Sequence, residues 1–140
     1  MRAEFTDNLI TGNTTIDNQH RELIDKINQL LQAIETSRDK AVAVKTLNFL
    51  TDYIHYHFQA EEKLQEETGY PGLEDHKKQH EILNNTVADL TDMLEEEEGP
   101  SDAFVAQLNK KVIEWFYRHI EGFDRSVAEY IFLLDNPERL

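Results

Sequence analysis

Two pairs of metal-donor side chains, His57 with Glu61 and His76 with His80, stand four residues apart on segments of helical periodicity. That spacing puts both members of a pair on one helix face, one turn apart. Two further segments add His20, and His119 with Asp124. A buried metal needs donors converging from different elements, so a chain that uses all seven must pack four helices around one point. Five of the six histidines belong to this pattern.

Apolar periodicity predicts four helices, over residues 17–37, 39–67, 73–94 and 101–128. The first carries Leu23, Ile24, Ile27, Leu30, Leu31 and Ile34 on one stripe, and the second Val44, Leu47, Leu50, Ile54, Phe58 and Leu64. Gly69, Tyr70, Pro71 and Gly72 end the second, and Gly99 with Pro100 precedes the fourth. Asp17 or a nearby threonine is the expected cap of the first helix, and Ser101 that of the fourth. The four glutamates at 95–98 oppose the dipole of the third helix, so that end should dissolve into a solvated loop. Residues 1–15 read as an extended arm, and the apolar tail 130–134 as a short C-terminal helix.

Short connections make sequential helices antiparallel neighbours. The expected fold is therefore all-α: one domain over residues 1–140, built as an up-down-up-down four-helix bundle. In that topology His20 lies early in helix one, and His57 and Glu61 late in helix two. His76 and His80 lie early in helix three, and His119 and Asp124 late in helix four. All seven then fall at one end of the bundle.

The chain has no cysteine, which excludes disulfides, thiolate catalysis and sulfur-ligated iron. A metal must be held by imidazole and carboxylate, which suits iron, manganese, zinc or copper. The formal charge of −14 repels nucleic acid and anionic membrane surfaces at long range, so neither is expected as a partner. No apolar run reaches the roughly 20 residues of a membrane span, and no secretory signal is visible, so a cytoplasmic location is expected.

One pair breaks the spacing rule. His119 and Asp124 are five apart, which turns the second side chain away from the first on a regular helix. Gly122 between them permits a local bulge that would re-aim it. His55 is two positions from His57, faces elsewhere, and is expected not to be a ligand. Glu62, Glu66 and Glu67 lie near Glu61, but only Glu61 shares the face of His57. Tyr53 and Trp115, each four before a histidine, are expected to pack around the site.

These segments resemble the hemerythrin family, in its single-domain bacterial form. The resemblance is carried by Ile16, Asp17, Asn18, Gln19 and His20. It continues through Tyr53 and the run from His57 to Glu62, then Gly69, Tyr70 and Pro71. His76, Lys77, Lys78, Gln79 and His80 follow, then Trp115 to Ile120, and Asp124 closes it. It implies a centre of two iron ions with an oxo or hydroxo bridge and dioxygen as ligand. His76, His80 and His119 would hold one iron, and His20 and His57 the other. Glu61 and Asp124 would bridge them. The iron with two histidines keeps an open position, where oxygen would bind. Ile120, by the same resemblance, and Leu23 and Phe58, by their closeness to His20 and His57, are the expected walls of the oxygen pocket. Gln65 stands where the family often has methionine, and Phe116 where it often has leucine. Neither is expected to touch a ligand.

The function expected from this resemblance is reversible oxygen binding, for carriage, storage or sensing, and not catalysis. Five neutral imidazoles and two carboxylates carry less negative charge than the four glutamates of carboxylate-rich di-iron bundles. Such a site should stop at oxygen binding and not drive oxidation of a substrate. The competing class is a di-iron redox enzyme on the same ligands, a peroxidase, oxidase or NO-handling protein. A static zinc or iron structural site is the plainest alternative. A redox or signalling partner is left open, as is the oligomeric state.

Overall fold

The computed structural model describes residues 2–139. Three long helices, α1 (Thr14–Ser37), α2 (Lys40–Thr68) and α3 (Leu73–Glu96), are followed by a composite fourth helix. The fourth consists of α4 (Asp102–Leu108), a π segment (Asn109–Ile113), α5 (Glu114–His119), a second π segment (Ile120–Asp124) and α6 (Arg125–Asp135). Short 3-10 turns occupy Asp7–Leu9 and Pro137–Arg139. There is no strand among the described residues, and the architecture is the expected four-helix bundle with its N-terminal arm. No helix is long and apolar enough to cross a membrane among them.

Local chemistry sets the helix ends. Asn13, not Asp17, caps α1: its side chain accepts from the Ile16 amide at 3.0 Å. Asp17 instead accepts from the Thr11 amide (2.9 Å), the Thr11 hydroxyl (2.7 Å) and the Gly12 amide (3.2 Å), which fastens the arm to the start of α1. Asp39 caps α2 through the Ala41 and Val42 amides, and Ser101 caps α4 through the Phe104 amide. Both α1 and α2 end on a residue in the left-handed region, Arg38 (φ 52°) and Gly69 (φ 70°). Glycine is suited to such an end because it has no Cβ to clash. The acidic stretch does end α3, with Glu97 already extended.

The arm is bound at several points. Asn28 on α1 accepts from the Ala3 amide (2.7 Å) and donates to the Ala3 carbonyl (2.9 Å). Arg125 on α6 donates to the Ile10 carbonyl at 3.1 Å. The apolar tail extends the fourth helix as the end of α6, where the Tyr130 hydroxyl donates to the Thr68 and Gly69 carbonyls.

The core has two parts. The large one runs through the middle of the bundle and includes Leu23, Leu47, Ile54, Phe58, Leu83, Phe104, Phe116 and Ile120. A small one, Ile16, Val127 and Ala128 with Leu64, Tyr70 and Ile131 against it, closes one end. Between Ile16 and Leu23 on α1 stands His20, and between Ile120 and Val127 on the fourth helix stands Asp124. A polar layer is thus enclosed between two apolar ones.

Candidate metal centre

Each of the seven predicted donors lies in that layer. His20 comes from α1, His57 and Glu61 from α2, and His76 and His80 from α3. His119 ends α5, and Asp124 ends the second π segment. None is more than 3% exposed. A charge or imidazole so buried requires a partner, because burial without one costs several kcal/mol.

The donor atoms converge in two sets. Glu61, His76, His80, His119 and Asp124 form one, and His20, His57, Glu61 and Asp124 the other. Within each set the donor atoms lie within 4.8 Å of one another. Both sets contain Glu61 and Asp124, so each carboxylate faces both. His76 Nε2 is 3.1 Å from Glu61 Oε1 and 3.0 Å from Asp124 Oδ1. His119 Nε2 is 3.1 Å from Asp124 Oδ1, and His20 Nε2 is 2.7 Å from Asp124 Oδ2. His57 Nε2 lies 3.2 Å from Glu61 Oε2, and His80 Nε2 3.8 Å from the same oxygen.

The arrangement fits a metal better than it fits a hydrogen-bond network. All four oxygens of Glu61 and Asp124, and the Nε2 atoms of His20, His57 and His80, make no aligned hydrogen bond despite these short distances. These atoms are instead gathered into the two donor sets, close enough together to share an ion. His76 Nε2 and His119 Nε2 are 2.9 Å apart. Two nitrogens each about 2.1 Å from one ion, at a right angle, stand about 3 Å apart. A donor set of imidazole and carboxylate without sulfur suits iron among the common metals.

Protonation reflects the same need for positive charge. Burial pushes the His76 imidazole down, but contacts with Asp124 and Glu61 outweigh it and raise it to about 9. His20 is raised likewise: Asp124, through a contact and its charge, overcomes burial. His80 goes the other way, to about 2, driven by burial and then by the neighbouring His76 and His119 charges. Burial acts to raise Asp124, yet the His119 charge and contacts with Glu61, His119 and His20 hold it well below the usual carboxylate range. Without a metal, protons on imidazoles balance the two carboxylates, the role that a cation takes when bound.

The five-residue step from His119 to Asp124 is resolved by the backbone. The Ile120–Asp124 segment is π-helical, and its wider turn carries Asp124 inward. Nothing lies within 4 Å of a Cβ built on Gly122, so the glycine contributes low helix propensity and not relief of a clash.

Three polar partners of the histidines were not legible as such. Gln19 Oε1 is 2.9 Å from His57 Nδ1, and Glu62 Oε2 is 2.7 Å from His80 Nδ1. Gln65, fully buried, places its amide nitrogen 2.9 Å from His76 Nδ1. The expectation that Gln65 touches no ligand residue is therefore corrected. Its signal was its place on the stripe His57, Glu61, Gln65, in steps of four. Such partners fix the orientation of a ligating imidazole. The Nδ1 atoms of His20 and His119 have no hydrogen-bond partner among the described residues.

Among the surrounding residues, Phe58 stacks on His80 with ring centroids 3.7 Å apart, and Trp115 on His119 at 4.4 Å. Leu23 and Ile120 are fully buried in the main core. His55 is exposed and takes no part. Tyr53 is half-buried and donates to Glu22 at 2.7 Å.

Similarity to known proteins agrees with this geometry. The hemerythrin HHE cation binding domain family matches residues 11–131. A bacteriohemerythrin of Stenotrophomonas maltophilia is 34% identical over 127 residues, 91% of this chain and 80% of that one. A bacteriohemerythrin of Pseudomonas aeruginosa is 30% identical over the same shares. A crystal structure of a leucine-to-tyrosine variant of hemerythrin superposes with a TM-score of 0.76 at 25% identity, covering 90% of this chain and 94% of that one. The chain belongs to the hemerythrin HHE cation binding domain family.

Proposed function

We propose that this chain holds two iron ions and binds dioxygen reversibly between its two apolar layers. His76, His80 and His119 would hold one ion, His20 and His57 the other, with Glu61 and Asp124 shared. The observation that carries this reading is the pair of donor sets that overlap in both carboxylates and differ in their number of histidines, three against two. The set with two histidines offers one ligand fewer, which leaves room there for a small molecule. Bound in this site, a ferrous pair would supply the two electrons that dioxygen takes up and gives back.

The chain's own residues do the rest. Gln19, Glu62 and Gln65 hold the rings of His57, His80 and His76 in place. Ile120, Leu23 and Phe58 form the apolar wall that keeps water and protons from the pocket. Ile16, Val127 and Ala128 close the layer from the other side. The preponderance of neutral imidazole over carboxylate favours binding over substrate oxidation, so the protein acts as an oxygen binder and not as an enzyme. Carriage, storage and sensing all rest on this one step.

Metal analysis of protein expressed with ample iron tests the ligand assignment. Two irons per chain are expected. One metal per chain, or zinc in place of iron, would overturn it.

A further inference from the structure

The first π segment has no part in placing a candidate ligand, unlike the second. It spans Asn109–Ile113, closed by a bond from the Glu114 amide to the Asn109 carbonyl. A π turn brings residues five apart over one another, where an α turn brings those three or four apart. Lys111, Trp115 and Arg118 share a face by ordinary spacing. The wider turn brings Lys110, five before Trp115, onto it as well. All four line a groove of about 470 Å³ between α3 and the fourth helix. Ile82 and Phe123 complete its apolar side, the His119 ring forms part of its floor, and no lining residue is acidic.

This charge pattern runs against the rest of the surface. The chain has 28 acidic and 14 basic residues. Three of those 14 surround one groove, and among the described residues none of the three has an ion-pair or hydrogen-bond partner. Unpaired cations grouped over an aromatic floor attract an anion with a flat body: the cations meet the charge, and the rings cover the apolar face. The volume falls within the range of about 300–1,000 Å³ typical of small-molecule sites.

We propose that this groove binds a small organic anion with a flat apolar body, of the class of an aromatic carboxylate. The carboxylate lies among Lys110, Lys111 and Arg118, and the body lies on Trp115, Phe123 and Ile82. The groove abuts the metal layer: His119 lines its inner end, and Trp115 stacks on that ring. It needs no metal to bind its ligand.

The test uses the iron-loaded protein and three probes in calorimetry: benzoate, the neutral benzyl alcohol, and inorganic phosphate. Trp115 is the only tryptophan, so its emission locates the bound probe. Saturable benzoate binding is expected, with a change in Trp115 emission at the same midpoint. Benzyl alcohol and phosphate should bind at least about tenfold more weakly, the loss of one charge-assisted contact or of the apolar face. The Lys110→Gln/Lys111→Gln double variant should lose benzoate affinity by about tenfold or more, with helix content by circular dichroism and iron content unchanged. Lys63→Gln, on α2 beside Glu67, should bind benzoate like the parent. Equal binding of benzyl alcohol and benzoate, tighter binding of phosphate than of benzoate, or unchanged affinity in the double variant would each overturn the proposal. So would the absence of saturable benzoate binding.

Discussion

The side-chain amide of Gln65 lies 2.9 Å from His76 Nδ1, while the opposite ring nitrogen of His76 faces Glu61 and Asp124 at 3.1 and 3.0 Å. A metal on Nε2 would leave Nδ1 as an N–H donor. Gln65 meets that donor only by turning Oε1 to it, and Oε1 is the amide atom without a hydrogen-bond partner among the described residues. Metal binding at His76 therefore selects one of two amide orientations.

Gln65→Met keeps the length of the side chain and removes the acceptor. Iron affinity, measured by competition with a chelator, should fall about tenfold to a hundredfold. Gln65→Glu, which retains an acceptor, should restore most of it. Equal affinity of the methionine variant and the parent would show that the contact does not support the ligand.

Asp124→Asn and Glu121→Gln separate the bulge from its surface. Asp124 is fully buried and shared by both donor sets, whereas Glu121 is exposed and bonded to Asn8. The first substitution removes a negative charge from between the two sets and should cost one or both irons. The second should leave iron content unchanged. Small and equal effects on metal content would contradict the assignment of Asp124 as a bridge.

Metal uptake should release protons. His76 is raised to about 9, so at pH 7 the metal-free protein carries a proton there that a metal on Nε2 must displace. Apparent metal affinity should then rise as pH increases from 7 toward 9 and level off above, since the proton competes only below its pKa. Calorimetry of iron(II) binding to the metal-free protein, without oxygen and in two buffers of different ionisation enthalpy, reads the count directly. At least one proton per chain is expected at pH 7. Identical heats in both buffers would contradict it.

Ile120→Ala tests the apolar wall. Ile120 is fully buried, and its trimming should cost about 2–4 kcal/mol of stability through the cavity it leaves. Iron content should remain at two per chain. Water admitted to the pocket should shorten the life of the oxygenated protein, read as faster loss of its visible spectrum at fixed pH. An unchanged rate of loss would place Ile120 in the general core.

The sequence made the ligand face readable because helical spacing is rigid. On the helices that the apolar periodicity predicts, His57 with Glu61, and His76 with His80, share a face one turn apart, and the antiparallel topology then sets His20 and His119 at the same depth. Asp124 was legible only through Gly122 and the family resemblance. Gln19, Glu62 and Gln65 were not, because polar residues on a half-buried stripe are ordinary and their roles depend on which way a neighbouring imidazole turns. The first π segment left no trace either: Asn109 to Ile113 contains neither glycine nor proline. Asn13 caps α1 in place of Asp17 or a threonine, since Asp17 is taken up by the arm.

The most direct test of the account is a cycle of oxygen admission and removal on the reduced, iron-loaded protein, followed by visible absorption. Two irons per chain should give a new spectrum on oxygen addition, and the reduced spectrum should return when oxygen is withdrawn. Immediate oxidation that does not reverse on removal, in protein with both irons present, would contradict reversible oxygen binding as the function of this site.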